Sequence, residues 1–171
     1  MIEHLRTLPP GLPETINLMG NHEDMLLAAL DGNRSDAELW MGNGGVAALD
    51  SWNVPPRTNP RNWPKLLPTV HQTFIRNLAI SHAAGSYLFV HAGIRPGIAF
   101  AHQTRQDLLW IRDTFLTSTA THQAIVVHGH TPEHHTPTIR NNRINLDTGA
   151  VLGGPLTCAI LQTDCLRFLT A

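Results

Sequence analysis

Ile16-Asn17-Leu18-Met19-Gly20-Asn21-His22-Glu23 is an apolar run that gives way at Gly20 to a helical pattern, and its reading decides the fold. Thr15 to Met19 reads as a buried strand. From Glu23 to Leu30, Met25, Leu26, Ala29 and Leu30 fall on one helical face, and Asp31-Gly32-Asn33 stops the helix. Side chains at such a strand exit are held rigidly, because the sheet sets the positions of their Cα atoms. Two later exits carry histidines: Val90-His91-Ala92-Gly93 after Tyr87-Leu88-Phe89, and His128-Gly129-His130-Thr131-Pro132 after Ala124 to Val127. Distant segments thus aim imidazole or amide groups at one sheet edge, which suits metal-assisted phosphoester hydrolysis.

Between and beyond these exits the pattern alternates. Helices are predicted at Ala37 to Met41 and Val46 to Trp52, joined by the elbow Gly42-Asn43-Gly44-Gly45, which can bring backbone N–H groups close to a ligand. Val54 to Pro68 holds five prolines with Arg57, Arg61, Trp63 and Lys65, a stiff loop that cannot be a central strand and whose basic residues can steer an anionic substrate. Thr69 to Ala79 returns to helical spacing through Val70, Phe74, Ile75 and Leu78. Ile80 to Ala84 and Tyr87 to His91 read as paired strands turning at Gly85-Ser86, and Gln103 to Ile111 as a helix with Leu108, Leu109 and Ile111 inward. The last third is mostly sheet: Ala124 to Val127, Thr138 to Arg140, Arg143 to Leu146, Leu156 to Gln162 and Leu166 to Leu169. An α/β layered domain over 1–171 follows.

Composition narrows the class. The chain has 171 residues, 42% of them hydrophobic and 15% charged, enough for one domain with a sizeable core. A net charge of -1 offers no basic footprint for nucleic acid and no polybasic surface for a membrane. The apolar stretches are short and Met1 to Pro10 lacks the apolar core of a signal peptide, so a cytoplasmic location is expected. Cys158 and Cys165 flank the Gln162-Thr163-Asp164 turn signal; they read as small buried hydrophobes rather than a disulfide. Of the 11 histidines, His4, His71, His82, His102, His122, His134 and His135 lie in polar or loop-like surroundings and read as solvated.

The site chemistry follows from residue type. Asn21, His91 and His130 give one cation of the Mn, Fe or Zn kind a nitrogen-and-oxygen shell; holding a second ion within about 4 Å of the first would need a bridging carboxylate. His22, next to Asn21, suits proton donation to a leaving oxygen, while Asn21 as helix N-cap with Glu23 and Asp24 in the first turn is the structural alternative. Glycine beside His91 and His130 allows close backbone approach, and His128 reads as support for His130 or as structure. Arg112, after Leu109-Trp110-Ile111, is the best phosphate clamp, since a guanidinium fork matches two phosphate oxygens; Arg95 is a second candidate. Asp147 orients a ligand histidine or makes a turn.

The ordered set Gly20-Asn21-His22-Glu23, His91-Ala92-Gly93, Gly129-His130-Thr131-Pro132 and Asp147-Thr148-Gly149-Ala150 resembles the bacterial serine/threonine protein phosphatase branch of the calcineurin-like metallophosphoesterases. The resemblance runs from the strand before Gly20 to the C-terminus. It implies a four-layer α/β sandwich of two mixed sheets flanked by helices and a dinuclear centre, with manganese the first choice of metal. Asn21, His91 and His130 would be ligands of the second metal, His22 the catalytic acid and Arg112 a phosphate-binding arginine. The implied reaction is in-line attack of a metal-bound hydroxide on a phosphorylated protein or small phosphoester.

The family's opening motifs, Asp-x-His and Gly-Asp-x-x-Asp-Arg-Gly, do not occur in this sequence. Met1-Ile2-Glu3-His4-Leu5 resembles the helix that follows them, so the chain reads as a member begun late, lacking the first strand-helix-strand unit, with impaired activity expected. Two other functions fit the same motifs: a dinucleoside tetraphosphatase-like hydrolase, and a non-catalytic remnant binding phosphate or a protein partner.

Overall fold

The computed structural model describes residues 1–9, 11, 13–162 and 165–171. The chain divides into two compact units, Met1–Ala79 and Ile80–Ala171.

The first unit is helical. Helix α1 (Ile2–Arg6) is followed by an extended segment in which Leu18 makes one parallel bridge to Ala79. Met19 N donates to Ala79 O at 2.8 Å and Ala79 N to Asn17 O at 3.0 Å. The strand expected at Thr15 to Met19 is thus a single bridge, and Ile16 is exposed rather than buried. Its partner strand ends as it begins, because the chain past Ala79 turns to pair elsewhere.

Helix α2 (Asn21–Leu30) buries Met25, Leu26, Ala29 and Leu30, the face read from the sequence. Gly20, not Asn21, is its N-cap. The Glu23 carboxylate reaches back to accept from Gly20 N at 2.9 Å, half of a capping box, since glycine has no side chain to return the bond. Helix α3 (Arg34–Trp40) starts at Asn33, whose side chain accepts from Asp36 N, and α4 (Val46–Ser51) follows the glycine elbow. Gly44 sits at φ 96°, and a Cβ on Gly45 would overlap the Trp40 ring, so the elbow requires glycine at both positions.

The proline-rich stretch contains a 3₁₀ turn at Pro60–Asn62 and a short helix, α5 (Trp63–Leu66), whose Trp63 is packed edge-on against Trp40. Helix α6 (Thr69–Arg76) buries Ile75 but leaves Val70 exposed, contrary to the face expected from spacing. His71 is not solvated either: Trp52 Nε1 donates to its Nδ1 at 2.9 Å, and its Nε2 lies 2.8 Å from the Glu3 carboxylate.

The second unit holds a five-stranded mixed sheet in the order β1-β2-β3-β5-β4. These are β1 (Ser81–Ala84), β2 (Tyr87–Val90), β3 (Ile125–His128), β4 (Thr138–Ile139) and β5 (Arg143–Asn145). β2, β3 and β5 run parallel; β1 and β4 pair antiparallel at the edges. Helices α7 (Arg105–Trp110) and α8 (Asp113–Leu116) supply Leu108 and Phe115 to a core with Leu88, Val90, Ile94 and Val126. The α8 turn has no counterpart in the sequence reading; at four residues it is too short to carry a periodic signal.

A second small sheet, β6 (Thr157–Gln162) and β7 (Cys165–Thr170), is an antiparallel hairpin. Its register pairs Cys158 with Leu169 and Cys165 with Gln162, so the cysteines are not cross-strand partners; both are free thiols and exposed, not buried as expected. The last two residues of the Gln162-Thr163-Asp164 turn lie outside the described residues. No helix among the described residues is long and apolar enough to cross a membrane.

Candidate active site

Parallel strands β2 and β3 end side by side, and the chain leaving each carries a histidine. His91 is clamped through its flanking backbone: Gly129 N donates to His91 O, and Ala92 N donates to Leu108 O of α7, both at 2.9 Å. A Cβ on the next residue, Gly93, would overlap the Phe115 ring, so glycine there answers a packing demand rather than the approach of a ligand.

His130 has a left-handed backbone at φ 68°, and Thr131 N donates to Gly129 O across it at 2.8 Å. This is a three-residue turn of the rare positive-φ kind, a conformation that costs a non-glycine residue on the order of 1 kcal/mol or more. The turn brings His130 Nδ1 to 3.1 Å from His91 Nε2. Two nitrogens each about 2.1 Å from one ion, at 90–110° to each other, stand roughly 3.0–3.4 Å apart. The pair therefore fits as two neighbouring donors on a single cation; neutral imidazole suits iron or zinc, and manganese favours a site where oxygen donors join the pair. Among the described residues no group of three or more His, Cys, Asp or Glu side chains gathers to hold a metal.

Around the pair, Arg112 sits between α7 and α8, exposed, with Nη1 donating to Thr131 Oγ1 at 3.2 Å. The arginine is thereby tethered to the residue after His130. Trp110 stands edge-on to the His130 ring at 6.3 Å between centroids. Arg95, the other phosphate-clamp candidate, is committed elsewhere: it makes a two-pronged pair with the buried Asp107 carboxylate at 2.6 and 3.1 Å. Burial alone would raise the Asp107 carboxyl, but bonds from Arg95 and Thr104 outweigh it and hold the group below its ordinary range. Asp147 makes a turn, its carboxylate accepting from Gly149 N at 3.1 Å.

Beneath the His130 turn lies a buried polar network of which the sequence singled out only His128, as support for His130 or as structure. Arg143, on β5 and only 2% exposed, pairs with Glu133 at 2.6 Å, donates to Leu116 O at 3.1 Å and reaches His128 Nε2 at 3.3 Å. His128 Nδ1 in turn lies 3.1 Å from Gly129 O, the carbonyl that closes the His130 turn. Since Arg143 can only donate, Nε2 of His128 accepts and Nδ1 carries the proton. Burial pushes the His128 pKa down to about 4, so the ring is neutral at pH 7. Asn145, two residues along β5, donates to Thr131 O at 2.8 Å. A visible signal existed: Arg143 and Asn145 alternate with Ile144 in a strand where every position proves buried.

Asn21 and His22 belong to the first unit. Asn21 is buried at the first turn of α2, and His22 is exposed, lining a cavity of about 270 Å³ with Trp40, Gly44, Gly45 and Trp52. The glycine elbow thus faces the same space as His22.

No protein-family model matches the chain. Among solved structures, the chain is similar to a crystal structure described as a "putative diadenosine tetraphosphatase", with a TM-score of 0.60 and 18% identity over 91% of this chain and 68% of that one. At that identity the likeness is one of fold, a mixed α/β architecture.

Proposed function

We propose that the chain is a metal-dependent phosphoester hydrolase, with His91 and His130 as ligands of a divalent cation, manganese by first choice. The observation that carries this reading is the 3.1 Å approach of their ring nitrogens at the exits of adjacent parallel strands. A strained backbone at His130 supports it, since strain of this kind collects where a side chain must be aimed. A bound cation would neutralise phosphoryl oxygens and acidify a water. Asn21 is assigned as a further ligand, His22 as proton donor to the leaving oxygen and Arg112 as the clamp on a phosphate. For Arg112 the tether to Thr131 is the support, because it ties a guanidinium to the residue beside His130.

The substrate follows the motifs quoted from the sequence: phosphoserine or phosphothreonine in a protein. A dinucleoside tetraphosphate is the second reading, favoured by the description of the similar solved structure. Turnover of a phosphoserine peptide and of diadenosine tetraphosphate, measured side by side with manganese, separates them. A kcat/KM at least tenfold higher for the peptide supports the phosphatase reading, and the reverse order replaces it. His22→Ala should lower kcat by about 10²-fold or more on either substrate; an unchanged kcat removes His22 from the mechanism.

A further inference from the structure

A further cavity lies elsewhere in the first unit, at the C-terminal end of α2. It measures about 790 Å³ and is walled by α3 and the proline-rich segment. Arg34, Arg57 and Arg61 line it against one carboxylate, Glu38, and Arg34 is already paired with Glu38 at 2.9 Å. Arg57 and Arg61 are exposed and have no carboxylate partner among the described residues.

The segment that carries them is stiff. Thr58 N donates to Pro55 O at 2.9 Å and Asn62 N to Asn59 O at 2.8 Å, and the Asn59 side chain accepts from Arg61 N at 3.1 Å. Prolines on both sides lower the entropy lost on binding. Trp63 lines the same cavity at 1% exposure, and its indole Nε1 is buried with no hydrogen-bond partner among the described residues. A buried donor without a partner calls for an explanation, and this one belongs to a residue in the wall of a cavity that two uncommitted guanidinium groups also line.

We propose that this cleft is an anion site that takes a ligand bearing more than one phosphate group. Two guanidinium forks, each matched to a pair of phosphate oxygens, favour phosphate over a lone carboxylate. The volume admits a chain of phosphates rather than a single one. The site is assigned independently of the hydrolase reading, since none of its residues is a metal ligand, proton donor or phosphate clamp in that reading.

Calorimetric titration of tripolyphosphate into the full chain, in buffer with chelator, tests it. Binding is expected, weakened at least tenfold in Arg57→Gln/Arg61→Gln with an unchanged circular-dichroism spectrum, and retained in His91→Ala/His130→Ala. In wild type the Trp63 indole N–H resonance, assigned through Trp63→Phe, is expected to shift during the titration. Equal affinity in the arginine variant, binding that disappears with His91 and His130 instead, no binding at millimolar concentration, or an unmoved Trp63 resonance each overturns the proposal.

Discussion

His91 and His130 are 39 positions apart in the chain, yet Nε2 of one stands 3.1 Å from Nδ1 of the other. The geometry costs something on only one side, because His91 leaves β2 in an unremarkable conformation while His130 is held at φ 68°.

That asymmetry separates backbone strain from side-chain function. His130→Gly removes the imidazole and relieves the left-handed backbone, whereas His130→Ala removes the imidazole and keeps the strain. The glycine variant should be more stable than the alanine variant by about 1 kcal/mol in urea unfolding, with metal binding lost in both. An alanine variant as stable as the glycine one would remove the strain from the account.

Arg143→Met should be among the most damaging single changes in the second unit. It removes the cation 2.6 Å from the Glu133 carboxylate, leaving that charge only the Thr138 side chain as donor, and removes the donor that fixes His128. A loss of about 3–5 kcal/mol is expected from chemical unfolding, the range for breaking a buried pair from one side. The double variant Arg143→Met/Glu133→Leu should recover part of it, since no unpaired charge then remains.

The buried His128 makes stability depend on pH. Its folded pKa is about 4 against an ordinary 6.5, so as pH falls the unfolded chain takes up the proton first. Stability contributed by the neutral ring is complete above pH 6.5 and is lost progressively down to about pH 4. At roughly 1.36 kcal/mol per unit the loss is about 3 kcal/mol. His122, pushed down by burial, acts in the same direction. Urea unfolding at pH 7.5 and pH 4.5 checks this, and His128→Phe should flatten the slope; an equal slope in the variant would assign it to other groups.

Arg112→Lys keeps the charge but loses the fork that reaches Thr131 at 3.2 Å. On p-nitrophenyl phosphate, KM should rise by about tenfold while manganese affinity is unchanged. A variant with wild-type KM would free Arg112 from any phosphate contact.

Much of this was legible in the residues, and the exceptions have physical causes. The face of α2 followed from Met25, Leu26, Ala29 and Leu30, because a 3.6-residue period over ten residues is hard to imitate. β2 and β3 announced themselves as apolar runs bounded by turns, which placed His91 and His130 at strand exits. Buried polar structure was legible only at His128, read as support for His130 or as structure; Arg143 and Glu133 look like surface residues until the fold joins β5, β3 and the loop after it. His71 was misread for the same reason, its partners Trp52 and Glu3 lying 19 and 68 positions away. The exposed cysteines failed on statistics: free cysteine is commonly buried, but a two-stranded hairpin leaves much of its surface to solvent.

The central claim is that His91 and His130 serve one cation in phosphoester hydrolysis. Turnover of p-nitrophenyl phosphate, followed with and without manganese in the wild type and in His91→Ala and His130→Ala, tests it most directly. Turnover that requires manganese and falls by about 10²-fold or more in each variant is predicted. Turnover indifferent to the metal, or equal in the variants and the wild type, would contradict it.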